Sequence, residues 1–437
     1  MRARFIPLLV ALAMTAAACD SGQAAGSEQT PSGQAAGLSQ SSEVRAPSGA
    51  STDDLAAAVA GGREFATDAY LQLTSAGNGN LVFSPASVRL ALAMTWAGAD
   101  GATASQMADA LRLDLDPAAM HAALNALDAL LASRNRVEAP GPDGEERKVV
   151  LTIENALWGQ AGYGFLQDFL DTLAINYGAG MHLVDFADDA EAARMAINDW
   201  VADRTNDRIP ELIPAGIISD LTRLVLTNAV CLDATWDRPF DPDATGDGSF
   251  TTLDGSEVIV PIMHSTGELG YAAGAGWQAV ELAYTGGELA MLVIVPDSGR
   301  FEQVEADLAS VLTEASNPGT ANVMLGLPKW EFRTQAGLVE VLEGLGMTDA
   351  FDPVVADFSP MTGTPELFIS DVVHEAFISV DEAGTEAAAA TAVIMDLRAA
   401  LPRETIELEI DRPFLFALQD RETGEILFLG RVVDPSL

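Results

Sequence analysis

Lysine is almost missing from this chain. Among 23 basic residues set against 64 acidic ones, only Lys148 and Lys329 are lysines, and the formal net charge is -41 over 437 residues. A surface so negative repels phosphate backbones and anionic headgroups, so nucleic acid is not an expected partner. The bias suits a high-salt medium, and a GC-rich genome would produce it as well. Cysteine is equally scarce: Cys19 and Cys231 leave no disulfide framework. Four histidines (His121, His182, His264 and His374) are too few for a histidine-rich metal site, and no cofactor is expected.

Common catalytic motifs are absent too. No phosphate-cradling P-loop occurs, and no Gly-x-Gly-x-x-Gly opens a helix after a strand. There is no Gly-x-Ser-x-Gly elbow. His374-Glu375 lacks the second histidine that a helical zinc motif needs. A Ser/His/Asp triad drawn from distant residues would have few histidines to choose from. His374 lies in an apolar, strand-like run, where a hydrogen-bonded core histidine is the plainer reading. Cys231, within Val225–Leu232, reads as a buried, inert thiol. The chain is therefore not expected to be an enzyme.

What is present begins with an address. Arg2 and Arg4 precede an apolar run over 5–18 that is too short to span a bilayer, the pattern of a secretory signal. Ala16-Ala17-Ala18-Cys19 has two readings. Signal peptidase cuts after Ala18, or Cys19 becomes the lipidated first residue of a bacterial lipoprotein, although Ala16 stands where such boxes usually carry leucine. A lone cysteine ahead of a tether favours lipidation, hence a secreted or cell-envelope protein. Residues 20–51, rich in Gly, Ser, Gln and Ala, are expected to be a flexible linker. Residues 52–437 show no repeat and no second linker and are expected to form one domain.

Helices are expected at 53–73, 87–96, 105–111, 117–131, 166–177 and 190–204, with strands at 149–157, 181–186 and 223–232. The second half reads as strands at 258–263, 277–284, 289–295, 321–327, 367–380, 405–410, 414–419 and 426–433, interrupted by one helix at 335–345. Helices grouped early and strands grouped late indicate an α+β fold with large antiparallel or mixed sheets.

Residues 381–403 fit neither a normal loop nor a normal element. They connect two strands without turn chemistry before Pro402, and connections this long usually carry function. As a strand, one face would carry Thr385, Ala387, Ala389, Thr391, Val393, Met395 and Leu397, with no charge, and the other Glu386 and Asp396. As a helix, the alanine-rich stretch 386–391 has high propensity. Both readings stand.

Several motifs, in order and at family spacing, resemble the serpins over the whole folded part: 80–87 and 98–106; 226–230 with Trp236 and Phe240; Leu327-Pro-Lys-Trp-Glu-Phe332; His374-Glu375-Ala376 leading into Glu382-Ala-Gly-Thr-Glu-Ala-Ala-Ala-Ala-Thr391; and Asp411-Arg-Pro-Phe-Leu-Phe416. The resemblance implies a single domain of three sheets and eight or nine helices that presents a reactive-centre loop, here about 382–403. Cleavage of the loop lets it insert as a new strand of the main sheet while the protease is still acyl-linked. The hinge residues so implied are Glu382, Gly384, Thr385, Ala387, Ala389 and Thr391. Sixteen residues beyond Glu382 the reactive bond falls at Arg398-Ala399, with Arg403 and Met395 as fallbacks if the register shifts. Arginine suits a trypsin-like protease with a carboxylate-floored pocket. Ser84, Ser87, Asn228 and His374 match the polar cluster that controls sheet opening, and Trp236 the point where the loop first enters.

The sequence departs from the family at Cys231-Leu232, Asp233-Ala234 and Glu375, which puts local packing and charge pairing in question. The helix from Pro117 has no basic run, so no heparin site is expected. The implied function is inhibition of a trypsin-like serine protease by a monomer. The rival readings are a non-inhibitory serpin with a binding or chaperone role, a cross-class inhibitor of cysteine proteases, and a hydrolase using Ser84 or Ser87 with His374.

Overall fold

Helices dominate the first half of the molecule and strands the second, as the patterning predicts. The computed structural model describes residues 37–75, 77–138, 146–385 and 405–437. A short strand, β1 (Gly37–Ser39), precedes α1 (Thr52–Ser75), which carries Asp53 and Asp54 in its first turn against the positive end of the helix dipole. After β2 (Leu81–Phe83), Ser84 caps α2 (Pro85–Trp96) by accepting from the Ser87 amide, with Pro85 at the first helical position. Then come α3 (Gly101–Ala110), α4 (Pro117–Ala132), β3 (Arg136–Glu138), β4 (Arg147–Gln160), α5 (Gln167–Tyr177), β5 (Met181–Val184), α6 (Ala190–Arg204) and β6 (Leu224–Thr235).

The second half opens with β7 (Gly246–Thr251), β8 (Glu257–Gly274), β9 (Trp277–Ala283) and β10 (Leu289–Pro296). Two short helices, α7 (Phe301–Ala306) and α8 (Leu308–Ala315), separate these from β11 (Gly319–Pro328) and β12 (Trp330–Gly337). Helices α9 (Val339–Gly344) and α10 (Ser359–Thr362) precede β13 (Asp371–Val380), β14 (Gly384–Thr385), β15 (Thr405–Glu409), β16 (Phe414–Asp420) and β17 (Ile426–Val432).

Among the described residues the strands form two sheets. The main sheet runs β1-β5-β4-β6-β14-β13-β12, with β3 on β4, and the second runs β15-β11-β8-β9-β10-β16-β17-β2, with β7 on β8. One apolar cluster packs the inner face of the main sheet (Val230, Leu232, Ala376, Ile378) on the second sheet (Val293, Leu325, Phe416). A smaller one, with Trp158, Ile197 and Val225, seats α6 on the outer face.

Two expectations fail. The helix expected at 335–345 is divided: residues up to Gly337 belong to β12, and only Val339–Gly344 are helical. Along β12 every second side chain is exposed, so the period-2 pattern of an edge strand wins, and β12 pairs with β13 from Trp330 to Gly337. The linker expected at 20–51 is too long at its C-terminal end. Gly37–Ser39 pair with Met181–Leu183 on the free edge of the main sheet. Beyond them, the Ser41 hydroxyl meets the Asp171 carboxylate, Arg45 pairs with Asp128 at 2.6 Å, and the Ala46 amide donates to Ile175 O. Few apolar residues mark this segment because main-chain and polar bonds hold it. Gly180 permits the approach, since a Cβ there would lie 2.9 Å from the Gln40 Cβ.

Candidate functional site

The candidate site is the seam between β6 and β13. These neighbours run parallel and pair from Val225–Asp371 to Val230–Ala376. Above that zone β14 enters between them and is antiparallel to both, with Thr385 opposite Val380 on one side and Ala234 on the other. The main sheet is thus zipped along one stretch and, among the described residues, wedged open at its end by Gly384 and Thr385. Ala234 O would lie only 2.0 Å from a Cβ at Gly384, so the wedge admits no side chain there.

Polar bonds fasten the wedge. Asp381 accepts from the amides of Ala383 (2.8 Å) and Gly384 (3.2 Å), closing a tight turn. Trp236 donates its indole N–H to Asp381 O at 3.0 Å and its amide to Ala383 O at 2.8 Å. Its ring stacks on Tyr284 with centroids 4.5 Å apart, and the Tyr284 hydroxyl meets the Thr385 hydroxyl. Glu382 accepts from Lys329 Nζ at 2.7 Å and from the Thr245 hydroxyl at 2.8 Å. Partial burial pushes the Glu382 carboxyl up, but these bonds, its backbone and the lysine charge outweigh it and leave it below the usual carboxylate range.

At the zipped end a buried cluster lies between β6, β13, β4 and α2. His374 Nε2 accepts from the Ser84 amide at 3.1 Å, so the ring proton is on Nδ1, which donates to Asn228 Oδ1. The Asn228 amide nitrogen donates to Ser87 Oγ and to Asn155 Oδ1. Full burial pulls His374 down to about 3, so the ring is neutral at any ordinary pH. His374 and Asn228 are direct partners across the β6–β13 seam, so separating the strands there breaks their side-chain bond.

Of the residues singled out from the sequence, Ser84, Ser87, Asn228 and His374 lie together at the zipped end, and Trp236, Glu382, Gly384 and Thr385 lie together at the wedge. Cys19, Ala387, Ala389, Thr391, Met395, Arg398, Ala399 and Arg403 lie outside the described residues. The hydrolase reading fails on geometry. Ser84, Ser87 and His374 are sealed from solvent, and His374 Nε2 is taken by a backbone amide rather than a hydroxyl. Among the described residues no acidic, histidine or cysteine group could hold a metal ion.

Sequence reasoning missed Asn155, Thr245, Tyr284 and Lys329. A polar residue inside a strand-like run at 155, and one of only two lysines at 329, were the available signals. The departures from the family pattern find compensation. Glu375, buried on β13, pairs with Arg333 at 3.3 Å and accepts from Gln335. Asp233 pairs with Lys148 of the next strand at 2.6 Å. Leu232 packs into the core.

Comparison with known proteins agrees with this architecture. The family model described as serpin (serine protease inhibitor) matches residues 60–435. An uncharacterised serpin-like protein of Thermococcus kodakarensis is 41% identical over 375 residues, covering 85% of this chain and 84% of that one. Leukocyte elastase inhibitor A of Rattus norvegicus is 34% identical over 383 residues, covering 85% and 97%. The crystal structure of the thermophilic serpin tengpin in its native state superposes with a TM-score of 0.78 at 28% identity, covering 91% of this chain and 99% of that one.

Proposed function

The chain belongs to the serpin family, and from that premise we propose that it inhibits a trypsin-like serine protease by suicide cleavage at Arg398-Ala399. The observation that carries this reading is the register of β14. Thr385 lies antiparallel between Val380 and Ala234, and β6 and β13 keep one constant offset below it. A strand that continued from Thr385 in this register would meet residue after residue of the zipped seam. Six residues on, Thr391 would fall between His374 and Asn228, replacing their mutual bond. Thr385, Ala387, Ala389, Thr391 and Val393 would face the apolar inner side, and none of them is bulky or charged. The charged Glu386 would face outward.

Cleavage frees the loop to add this strand, which trades one parallel pairing for two antiparallel ones. The uncut protein is therefore kinetically trapped. The protein supplies bait and spring, and the serine nucleophile belongs to the protease. Arginine at the reactive bond favours a pocket floored by a carboxylate over the small apolar pocket of an elastase. The basic, apolar, small-residue order of 1–19 supports export and lipid attachment at Cys19.

The test incubates the mature protein with trypsin and follows denaturing gels and the mass of the released peptide. A stable covalent band at the summed mass less the released 399–437 peptide, with cleavage after Arg398, is expected. Clean cleavage with fully active trypsin would overturn the trypsin-like assignment. If the cut product also fails to gain heat resistance, insertion itself is refuted and a non-inhibitory binding role takes its place. Mass analysis of the mature N-terminus checks a diacylglyceryl group on Cys19.

A further inference from the structure

The link between α1 and β2 carries the chain's sole Asn-Gly pair, Asn78-Gly79. Asparagine is a thermolabile residue. Its deamidation needs an unengaged side-chain amide and a following main-chain nitrogen free to attack it. Both conditions meet here. Asn78 is exposed, and among the described residues neither its carboxamide nor the Gly79 amide makes a hydrogen bond. Gly79 brings no side chain to crowd the attack. Other asparagines lack one condition or the other. Asn80 donates to Asp434 O at 2.6 Å and accepts from the amides of Val433 and Asp434. Asn206 is exposed too, but the amide that follows it, of Asp207, donates to Ala202 O at 2.8 Å. Asn317 precedes Pro318, which has no N–H.

The residues that flank the pair give its modification a structural consequence. Arg431, buried on β17 opposite Leu81 of β2, donates Nη2 to Gly77 O and Nε to Gly79 O, the latter at 3.0 Å. Its Nη1 donates to Glu305 Oε1 at 2.9 Å, and that oxygen also accepts from the Tyr70 hydroxyl at 2.7 Å. Asn78 therefore stands between two carbonyls that hold one buried guanidinium. Hydrogen bonds from a charged donor are among the stronger ones. A change of main-chain length at 78 moves one of these carbonyls against the other.

We propose that Asn78 is a site of spontaneous deamidation and that the isoaspartate formed there loosens the hold on Arg431. The Gly79 nitrogen bonds to Asn78 Cγ as the Cγ–Nδ2 bond breaks. The Gly79 amide proton passes to the departing nitrogen, which leaves as ammonia, and a cyclic succinimide remains. Water then opens the ring. Addition at Cγ gives aspartate on the original main chain. Addition at the main-chain carbonyl carbon gives isoaspartate, whose main chain runs through Cβ and Cγ. That route is longer by one carbon–carbon bond, about 1.5 Å, so Gly77 O and Gly79 O no longer keep the spacing that Arg431 bridges. The inference is independent of the inhibitory reading, because it concerns only how the α1–β2 link holds β17.

The experiment ages the full mature chain at mildly alkaline pH and maps its peptides by mass spectrometry, with fragmentation to separate position 78 from position 80. Isoaspartyl methyltransferase with S-adenosylmethionine is the probe for isoaspartate. Asn78 is expected to exchange its amide for an acid ahead of every other asparagine, and the product to accept a methyl group. Isolated by ion exchange, the isoaspartate form is expected to melt about 2–5 °C below fresh protein at one scan rate. Asn78→Asp, with the same charge on an ordinary main chain, should melt level with fresh protein. Gly79→Ala should slow the conversion several-fold. Its fold should persist, since a Cβ there would meet no atom within 4 Å and Gly79 is not in the left-handed region. An Asn78 amide that lasts as long as the others, or conversion undiminished in Gly79→Ala, overturns the site. Isoaspartate that melts with fresh protein, or Asn78→Asp that melts as low as isoaspartate, overturns the effect on Arg431.

Discussion

Lys329 Nζ lies 2.7 Å from Glu382 Oε2, and this pair joins the link between β11 and β12 to the turn that leads into β14. The Glu382 side chain is 14% exposed and the lysine 35%, so the pair is neither fully wet nor fully buried. Loss of the lysine would leave a shielded carboxylate held only by the Thr245 hydroxyl and backbone. Lys329→Met is expected to cost about 1 kcal/mol and to loosen the turn at Asp381. Thermal melts with light scattering check this. The variant should melt lower and associate faster on heating, because a detached hinge uncovers strand edges that another chain can pair with. A charge-swapped Lys329→Glu, Glu382→Lys protein should recover part of the loss.

Stability should depend on pH through two buried groups of opposite sign. Glu425 is fully buried, and desolvation raises its carboxyl to about 7 despite Arg89 and Arg63 nearby. Its folded value lies above the unfolded one, so its contribution is fully favourable below about 4.5 and is lost as pH rises through 7. Glu425→Gln is accordingly expected to melt several degrees above the parent at pH 8 and level with it at pH 5. Equal melting offsets at both pH values would refute the assignment.

His374 works the other way. Burial lowers it to about 3, below the unfolded value near 6.5, so stability falls as pH drops between those limits, by up to roughly 1.4 kcal/mol per pH unit. His121, held down to about 4 by burial, adds to the same slope. Because His374 bridges β6 and β13, acid should act on the seam in particular. The hydrogen-exchange protection factors at 371–376 and 225–230, which allow for the slowing of intrinsic exchange in acid, are expected to fall between pH 6 and pH 4. In His374→Gln that loss of protection should be largely absent, the remainder belonging to His121.

The segment at 37–51 makes a fourth prediction. Asn125, buried on α4, donates to Ala46 O at 2.9 Å and accepts from Arg45 Nε at 2.9 Å. Asn125→Ala would strand these groups at a cost of about 2 kcal/mol. Limited proteolysis is expected to cut within 37–51 in this variant and to leave the parent intact there.

How much of this was readable beforehand depends on what kind of force sets each feature. The outline of α6 at Ala190–Arg204 and the β16–β17 pair follow from periodicity and apolar runs, because burial of side chains sets them. The edge strand β1 was not readable. Its three residues are held by the main chain of β5, and backbone pairing leaves no trace in side-chain hydrophobicity. The division at Gly337 was hidden for a related reason: short helix and edge strand share an alternating mixture of polar and apolar residues over so few positions. At the site, Ser84, Asn228 and His374 were marked by family motif. Asn155 completes the same cluster from β4 and carries no motif, since only the 155–228 register brings it there. Tyr284 is similarly recruited by an isolated bridge to Trp236, a long-range pairing that no local pattern encodes.

Thr385 is where the whole mechanism is most exposed to a single substitution. Its side chain is buried, bonded to the Tyr284 hydroxyl, and flanked by Ala234 and Val380 on the apolar side of the sheet. A strand can grow past this point only if the residue here is small or readily desolvated. Thr385→Arg would place an unpaired guanidinium among core side chains, a cost of several kcal/mol that insertion would have to overcome at its first step. In the uncut protein the arginine can remain outside by unpairing β14, so the fold survives. Cleavage at the same bond should therefore continue at an undiminished rate, since the substrate segment is untouched. Trapping should fail: no covalent band on denaturing gels, full recovery of protease activity, and no gain in heat resistance after the cut. A Thr385→Val protein, close in size and apolar, should retain all three. If Thr385→Arg still traps protease, strand growth does not begin at β14, and the register that supports the inhibitory reading is not the one the chain uses.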